Sequence, residues 1–406
     1  MKKTVRLFTA MLTVACVALF GMLIYEDRAL PKSVTVSELS AFKVKSQIPV
    51  SFKATEATTT AGTDIQKTHH TGVYRLFGVF PIDSAEVSVS KNKTVEVLGT
   101  PFGIKLYTDG VLVVNTTKVK SESGSRNPAA ECGIKKGDYL TAVNGVKIRN
   151  GEELQARIKN IGGKSLNISY YRGGKDYSTV LTPALSTEDG LYHLGLWVRD
   201  SCAGIGTMTF YDPETKAASG LGHGLCDSDT GKMISVNSGA LVGAEILSVE
   251  KSTDGMAGEL VGRFLNQSYS AALMNSELGV YACGFSGYKS FGSYEVSHST
   301  EVKTGKAQIL TTVKGQAPKL YDCEILSVAA GRKTRNLVIE ITDEKLLEIS
   351  GGVVQGMSGS PIIQNGRLVG AMTHVLVDDP KKGYGIFAQT MLNEAENAAK
   401  VIKKAS

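Results

Sequence analysis

Hydrophobic positions along the chain fall into distinct regimes. From Leu7 to Ile24 eighteen residues pass without a charge, between basic Lys2, Lys3 and Arg6 and acidic Glu26 and Asp27. That length just crosses a hydrocarbon core, and the basic flank places the N-terminus in the cytoplasm and exports the rest of the chain. A cleaved signal peptide is the competing expectation, but the run ends without a small-x-small site, which favours an uncleaved anchor over 1–30. Residues 31–94 read as a linker and N-terminal segment, most polar at Thr58–Thr63. From Leu191 onward, β-branched runs of strand length alternate with glycine turns, at 204–210, 243–250, 307–313, 323–329, 337–342, 367–374 and 383–389. Many short strands separated by turn signals predict an all-β barrel pair. At the end, Met391, Leu392, Ala395, Ala399 and Ile402 share one face of a helix, which predicts an amphipathic helix docked on a barrel.

Composition narrows the class. A chain of 406 residues is long for one domain, and two or three are expected. Charged residues at 21% with 44 glycines fit a globular, turn-rich protein rather than a disordered one. The net charge, 45 minus 39 or +6, is spread out, and no basic block with interleaved aromatics invites nucleic acid. Six cysteines include Cys16 inside the apolar run. The other five, Cys132, Cys202, Cys226, Cys283 and Cys323, are odd in number and match no zinc spacing, so they read as mostly buried small residues. No cofactor or metal is expected.

The chemistry concentrates in Gly356-Met357-Ser358-Gly359-Ser360-Pro361. This has the layout of the nucleophile loop in trypsin-like serine proteases. Attack by a hydroxyl on a peptide carbonyl creates an oxyanion, and a turn with little side-chain bulk lets the N–H groups of Gly356 and Ser358 converge on it. The plain alternative is a Gly/Ser-rich turn between two strands. Of six histidines, His69 and His70 lie in a polar stretch and His193 and His298 have no special surroundings. His374 could line a cleft or simply pack. His223, in Ser219-Gly220-Leu221-Gly222-His223-Gly224, is cramped by glycines at a strand end, as a fixed general base requires. For the carboxylate that orients an imidazole, Asp212, Asp227, Asp229, Asp322 and Asp343 all remain open. Asp227-Ser228-Asp229-Thr230-Gly231 also mimics the start of a calcium loop, but without the later ligands it reads as a turn.

Residues 95–185 resemble a PDZ domain. Phe102, Gly103 and Ile104 stand where the family's carboxylate-binding loop lies, the run Asn127–Asp138 resembles its helix-and-turn signature, and Glu152–Ile158 would wall the groove. Such modules bind an extended peptide by strand addition. A wider resemblance rests on YRLFGVFPI at 74–82, PFGIKLYTDGVLVV at 101–114, LGHG at 221–224, ITDEKLLE at 341–348 and GGVVQGMSGSPIIQNGRLVGAMTHVLV at 351–377. The chain resembles the stage IV sporulation protein B peptidase family, the membrane-anchored PDZ serine peptidases of spore-forming bacteria.

That resemblance implies a mainly β fold: a trypsin-like double β-barrel peptidase domain at 186–406, preceded by an α+β PDZ domain and an N-terminal transmembrane helix. It places the triad on His223, Asp343 and Ser358, and so selects Asp343 among the aspartates. It also implies a bitopic protein of the forespore membrane that cleaves itself and cuts a membrane-bound regulatory protein to trigger a late sigma factor. The alternative is a catalytically silent PDZ scaffold whose protease-like domain only binds.

Overall fold

The computed structural model describes residues 30, 32–37, 39, 44, 49–61, 66–234, 236–270, 272–329 and 331–405. The expected anchor, Leu7–Ile24, lies outside the described residues, and among these no helix is long and apolar enough to cross a membrane. The chain divides into two compact units, Met1–Lys93 with Val296–Val302 and Thr94–Glu295 with Lys303–Ser406.

The first unit is built on strands β1 (Ser33–Val36), β2 (Val50–Ala61), β3 (Gln66–Leu76) and β4 (Phe80–Val89), in the sheet order β1-β4-β3-β2. Where composition suggests a linker, β2 and β3 pair as a long hairpin, with Thr58 opposite His69 and Thr60 opposite Lys67. The threonines that make this stretch polar are β-branched and suit a pleated strand. Alternation supplies the packing: Val34 and Val36 of β1 and Ala85 and Val87 of β4 turn inward.

The second unit opens with β5 (Thr94–Val97) and the long β6 (Pro101–Thr116). There follow a small hairpin, β7 (Val119–Ser121) with β8 (Gly124–Arg126), and the one-turn helix α1 (Pro128–Glu131), which Asn127 caps. Next come β9 (Tyr139–Val143), β10 (Val146–Lys147) and helix α2 (Gly151–Ile161). The Asn150 side chain caps α2, and Gly162 in the left-handed region ends it. Strands β11 (Leu166–Arg172), β12 (Lys175–Leu181), β13 (Ala184–Leu185) and β14 (Tyr192–His193) lead to β15 (Leu196–Asp212). After it run β16 (Ala217–Gly220), β17 (Val236–Glu250), β18 (Glu259–Ser270), β19 (Ala272–Ser276), β20 (Gly279–Cys283) and β21 (Gly292–Glu295).

Strands β6 and β15 join what the sequence separates into two domains. The end of β6, from Val111 onward, pairs with β9 and with Leu196–Arg199. Its beginning, Pro101–Tyr107, pairs with Ser201–Thr207 of β15, and from Phe102 on also with β17. The change of partner falls at Gly110 and at a register shift beside Asp200, where the Thr108 hydroxyl holds both backbones by donating to their carbonyls. A Cβ on Gly110 would lie 2.3 Å from the Leu140 carbonyl oxygen. Among the described residues, thirteen strands thus form one continuous sheet. The first barrel of the expected pair is therefore not closed off, because β6 and β15 run on past it.

The second barrel does close, in the order β22-β23-β24-β27-β26-β25. Its strands are β22 (Gly305–Thr311), β23 (Lys319–Val328), β24 (Leu337–Ile341), β25 (Pro361–Gln364), β26 (Arg367–Val375) and β27 (Lys382–Phe387). Ile309, Ile325, Ile339, Ile362, Met372 and Ile386 fill it and are fully buried. Helix α3 (Glu344–Ser350) follows β24. The closing helix α4 (Ala388–Ala405) buries Met391, Leu392, Ala395 and Ala399, the face that the helical spacing predicts. It packs on β16 and β20 and on β26 and β27, and so ties the histidine side to the serine side.

The expected carboxylate loop is not a loop. Phe102 is fully buried, and Gly103 is paired with Ile205 on one side and Val242 on the other. A strand paired on both edges has no N–H groups left to receive a carboxylate, so Phe102, Gly103 and Ile104 are not the peptide-binding residues. Gly103 is needed for packing instead, since a Cβ there would sit 2.5 Å from the Phe264 ring.

Candidate active site

The nucleophile loop is held by β15. The Thr207 N–H donates to the Ser358 carbonyl at 2.9 Å, its hydroxyl donates to the Gly356 carbonyl at 2.8 Å, and the Thr209 hydroxyl donates to the Gly359 carbonyl at 2.8 Å. Gly359 permits this contact: a Cβ there would lie 1.9 Å from the Thr207 carbonyl oxygen. The other side of the loop rests on β26, where the Gly359 N–H donates to the Met372 carbonyl. With those carbonyls engaged, the N–H groups of Gly356 and Ser358 have no protein acceptor among the described residues. Gly356, at φ 93, takes the left-handed conformation that frees its N–H. Two open N–H groups beside a serine hydroxyl are what an oxyanion hole would require.

Ser358 and His223 lie against neighbouring residues of β26, Ser358 at Thr373 and His223 at His374. The Ser358 hydroxyl donates to the Thr373 carbonyl at 2.5 Å. Gly222, also left-handed, presses on Thr373, where a Cβ would come within 2.9 Å of the methyl group. The next residue, His223, lays its ring against that of His374, with centroids 4.5 Å apart. His223 Nδ1 lies 2.9 Å from the Gly224 carbonyl oxygen, so this nitrogen donates its proton there and leaves Nε2 as the base. Burial holds the His223 imidazole below its ordinary value of 6.5, with Arg335 adding to the effect and the Gly224 carbonyl opposing it. His374 is pushed down to about 4 by burial, by His223 and by Arg335, and its buried Nδ1 has no partner. Both rings are neutral near pH 7, as a general base must be. His374 is the residue the sequence underrated, and only its lateness in a strand after the serine loop hinted at it.

Asp343 is not beside His223. Its Oδ1 accepts from the Leu346 N–H and so caps α3, while Oδ2 receives the Asp322 N–H at 3.4 Å. Its competitors are engaged elsewhere too. Asp212 closes its own turn with Thr215, Asp227 and Asp229 pair with Arg199, and Asp322 accepts from Gln308. Among the described residues no carboxylate pairs with His223, and a backbone carbonyl does the orienting. The other histidines bond away from the site: His69 with Glu86, His193 with Asp189, and His298 with the Ser90 carbonyl. Cys132, Cys202, Cys226 and Cys323 are free thiols, and burial raises all four, Cys323 to about 12. None is poised as a nucleophile.

A cavity of about 960 Å³ lies between α2, which walls it as expected, and the segment 186–198. Here Leu194-Gly195-Leu196 repeats the apolar-Gly-apolar pattern of 102–104. The Leu194 and Gly195 carbonyls are taken by Ala129 and Thr117, while their N–H groups have no protein acceptor among the described residues. Gly195 is left-handed at φ 71 and lies against the Thr117 carbonyl.

A model of the SpoIVB peptidase S55 family matches residues 190–392, half of the chain. The chain belongs to the SpoIVB peptidase S55 family. A PDZ domain model also matches, over residues 123–172. The curated relatives agree over short stretches. The chain is 29% identical over 111 residues to the zinc metalloprotease RasP of Shouchella clausii, covering 27% of this chain and 26% of that one. It is 40% identical over 58 residues to a probable periplasmic serine protease do/HhoA-like of Haemophilus influenzae, covering 14% and 12%. It is 30% identical over 113 residues to a DegP-like probable periplasmic serine endoprotease of Bartonella henselae, covering 23% and 22%. The chain therefore spans about a quarter or less of these relatives. Among solved structures, the PDZ domain of the SdrC-like protein of Listeria monocytogenes is 24% identical, with 22% of this chain and 87% of that one covered and a TM-score of 0.19.

Two measurements test this geometry. Asp343→Ala should lower unfolding stability by about 1 kcal/mol through the lost cap, whereas Asp343→Asn, which can cap, should match the wild type in denaturant unfolding. A loss of activity in Asp343→Asn far beyond its stability change would instead bring this side chain to the imidazole in the acting state. Because His223 must be neutral to act and is depressed from 6.5, kcat/KM should persist as pH falls through that value and drop only below it. Arg335→Ala should move this acid limb upward; a midpoint at or above 6.5 in the wild type would contradict the buried environment.

Proposed function

We propose that the protein is a membrane-tethered signalling endopeptidase of sporulation. It removes itself from its anchor and then cuts a membrane-bound regulatory protein, the step that releases a late sigma factor. Ser358 is the nucleophile and His223 the general base and then general acid. The Gly356 and Ser358 N–H groups receive the oxyanion. The observation that carries this reading is the pair of open N–H groups on a serine loop whose hydroxyl meets Thr373, next along β26 to the His374 ring on which the neutral, oriented His223 lies. For attack, the Ser358 hydroxyl turns from the Thr373 carbonyl to His223 Nε2, which takes its proton as the Oγ–carbon bond forms. The Gly224 carbonyl keeps the imidazolium oriented until the proton passes to the leaving amine. Family membership supports the sporulation role, and the charge-flanked apolar run at 7–24 supports export with a cytoplasmic N-terminus.

Purified full-length protein should shorten itself, with a new N-terminus between Pro31 and Ala61 by sequencing. Ser358→Ala and His223→Ala should each abolish this, a loss on the order of 10⁶-fold, and the double variant should be little worse than either. Continued shortening of pure Ser358→Ala protein would sink the nucleophile assignment. The groove between α2 and 186–198 holds the substrate chain by strand addition along β15, with the Leu194 and Gly195 N–H groups receiving a terminal carboxylate. Gln155→Trp, which fills that groove, should slow cleavage of a protein substrate while sparing a short reporter peptide. Equal losses on both would make the groove a structural support only.

A further inference from the structure

The β3–β4 hairpin ends in a tip that folding alone does not explain. Phe77, Val79 and Phe80 are 58%, 62% and 63% exposed, a contiguous apolar surface on an otherwise well-packed sheet. Leu76 and Phe80 pair across a three-residue turn, Phe77-Gly78-Val79, closed by the Val79 N–H donating to the Leu76 carbonyl, with Phe77 at φ 53 and Gly78 at φ 73. Positive φ in a turn is ordinarily taken by Gly or Asn. A bulky aromatic at positive φ is strained and, exposed to water, returns nothing for that strain. The tip is nonetheless rigid: the Phe77 N–H donates to the Pro49 carbonyl, and Arg75 Nη1 donates to the Val79 carbonyl.

The chain also enters the sheet at this end. Leu30 is buried against Tyr74 and Ala85, close to the tip, and β1 then runs parallel to β4 away from it, from Ser33 beside Glu86 to Val36 beside Val89. The uncharged run ends at Ile24, six residues before Leu30, a reach of at most about 20 Å. An anchor ending there holds this end of the sheet at the bilayer. Exposed Lys32 lies on the same end, where anionic head groups would meet it.

We propose that the Phe77–Phe80 tip inserts into the lipid interface beside the anchor, giving the first unit a second membrane contact. Aromatic side chains favour this layer, and insertion would bury the surface that is otherwise left in water. The inference rests on the anchored reading above. Its test uses the full chain reconstituted in phosphatidylethanolamine–phosphatidylglycerol vesicles, with and without brominated acyl chains. Trp197 is the single tryptophan, so Phe80→Trp in a Trp197→Phe background reports from the tip. Lys91→Trp in the same background reports from beyond the other end of β4, about 30 Å away. Phe80→Trp should lose most of its emission to the brominated chains and resist aqueous iodide, while Lys91→Trp should do the reverse. Phe77→Asn, which suits the turn, should weaken that quenching without lowering the thermal midpoint. If the chain floats with vesicles but Phe80→Trp stays open to iodide, the insertion is overturned, the anchor stands, and an apolar protein surface is the partner the tip fits. If the chain does not float, the anchored reading and this one fall together.

Discussion

The grip of β15 on the serine loop is the constraint on which the site depends. Thr207 uses both its N–H and its hydroxyl on the carbonyls of Ser358 and Gly356, and Thr209 takes that of Gly359. Each bond engages a carbonyl of the loop, while the N–H groups of Gly356 and Ser358 have no protein acceptor among the described residues. A loop of glycine and serine has no such preference by itself, because glycine loses more conformational freedom on folding than any other residue. The preorganisation that stabilises an oxyanion is thus supplied by a strand of the other half of the unit. The same strand segment also precedes β16 and the glycine turn that delivers His223, so nucleophile and base share one support.

That support is continuous with the peptide groove. β15 begins at Leu196, on the groove wall, and reaches Thr207 under the nucleophile loop without leaving the sheet. β6 runs beside it over nearly the same span. A substrate chain laid along the start of β15 would add to the very strand that clamps the catalytic loop. The groove and the catalytic loop are two ends of one hydrogen-bonded ladder rather than two modules on a linker.

The base works without a visible carboxylate. Orientation comes from the Gly224 carbonyl, and neutrality comes from burial, with Arg335 adding to it; His374 beside it is lowered by burial, by His223 and by Arg335. Placing two imidazoles ring to ring makes protonating either one costly to the other, which keeps Nε2 of His223 free to take a proton. Asp343, which the family resemblance singles out, holds the N-terminus of α3 instead.

Much of this was legible in order along the chain. Period-two runs and glycine turns are local properties, so the many strands, the serine turn, the glycine-cramped His223 and the amphipathic face of α4 could be read from residues a few positions apart. Failures came where the answer depends on distant partners. Phe102-Gly103-Ile104 and Leu194-Gly195-Leu196 have the same pattern, and only the pairing of β6 on both edges decides which keeps its N–H groups free. The threonines of β2 looked like linker because polarity was weighed without the partner strand that orders them. Asp343, Asp322 and Asp227 carry identical carboxylates, and what each can do was set by which backbone N–H or guanidinium the fold brought to it. The sequence by itself determined which residues could do the chemistry; the tertiary structure decided which of them meet, because hydrogen bonds act over about 3 Å while the strand that holds the serine loop lies 149 residues away along the chain, from Thr207 to Gly356.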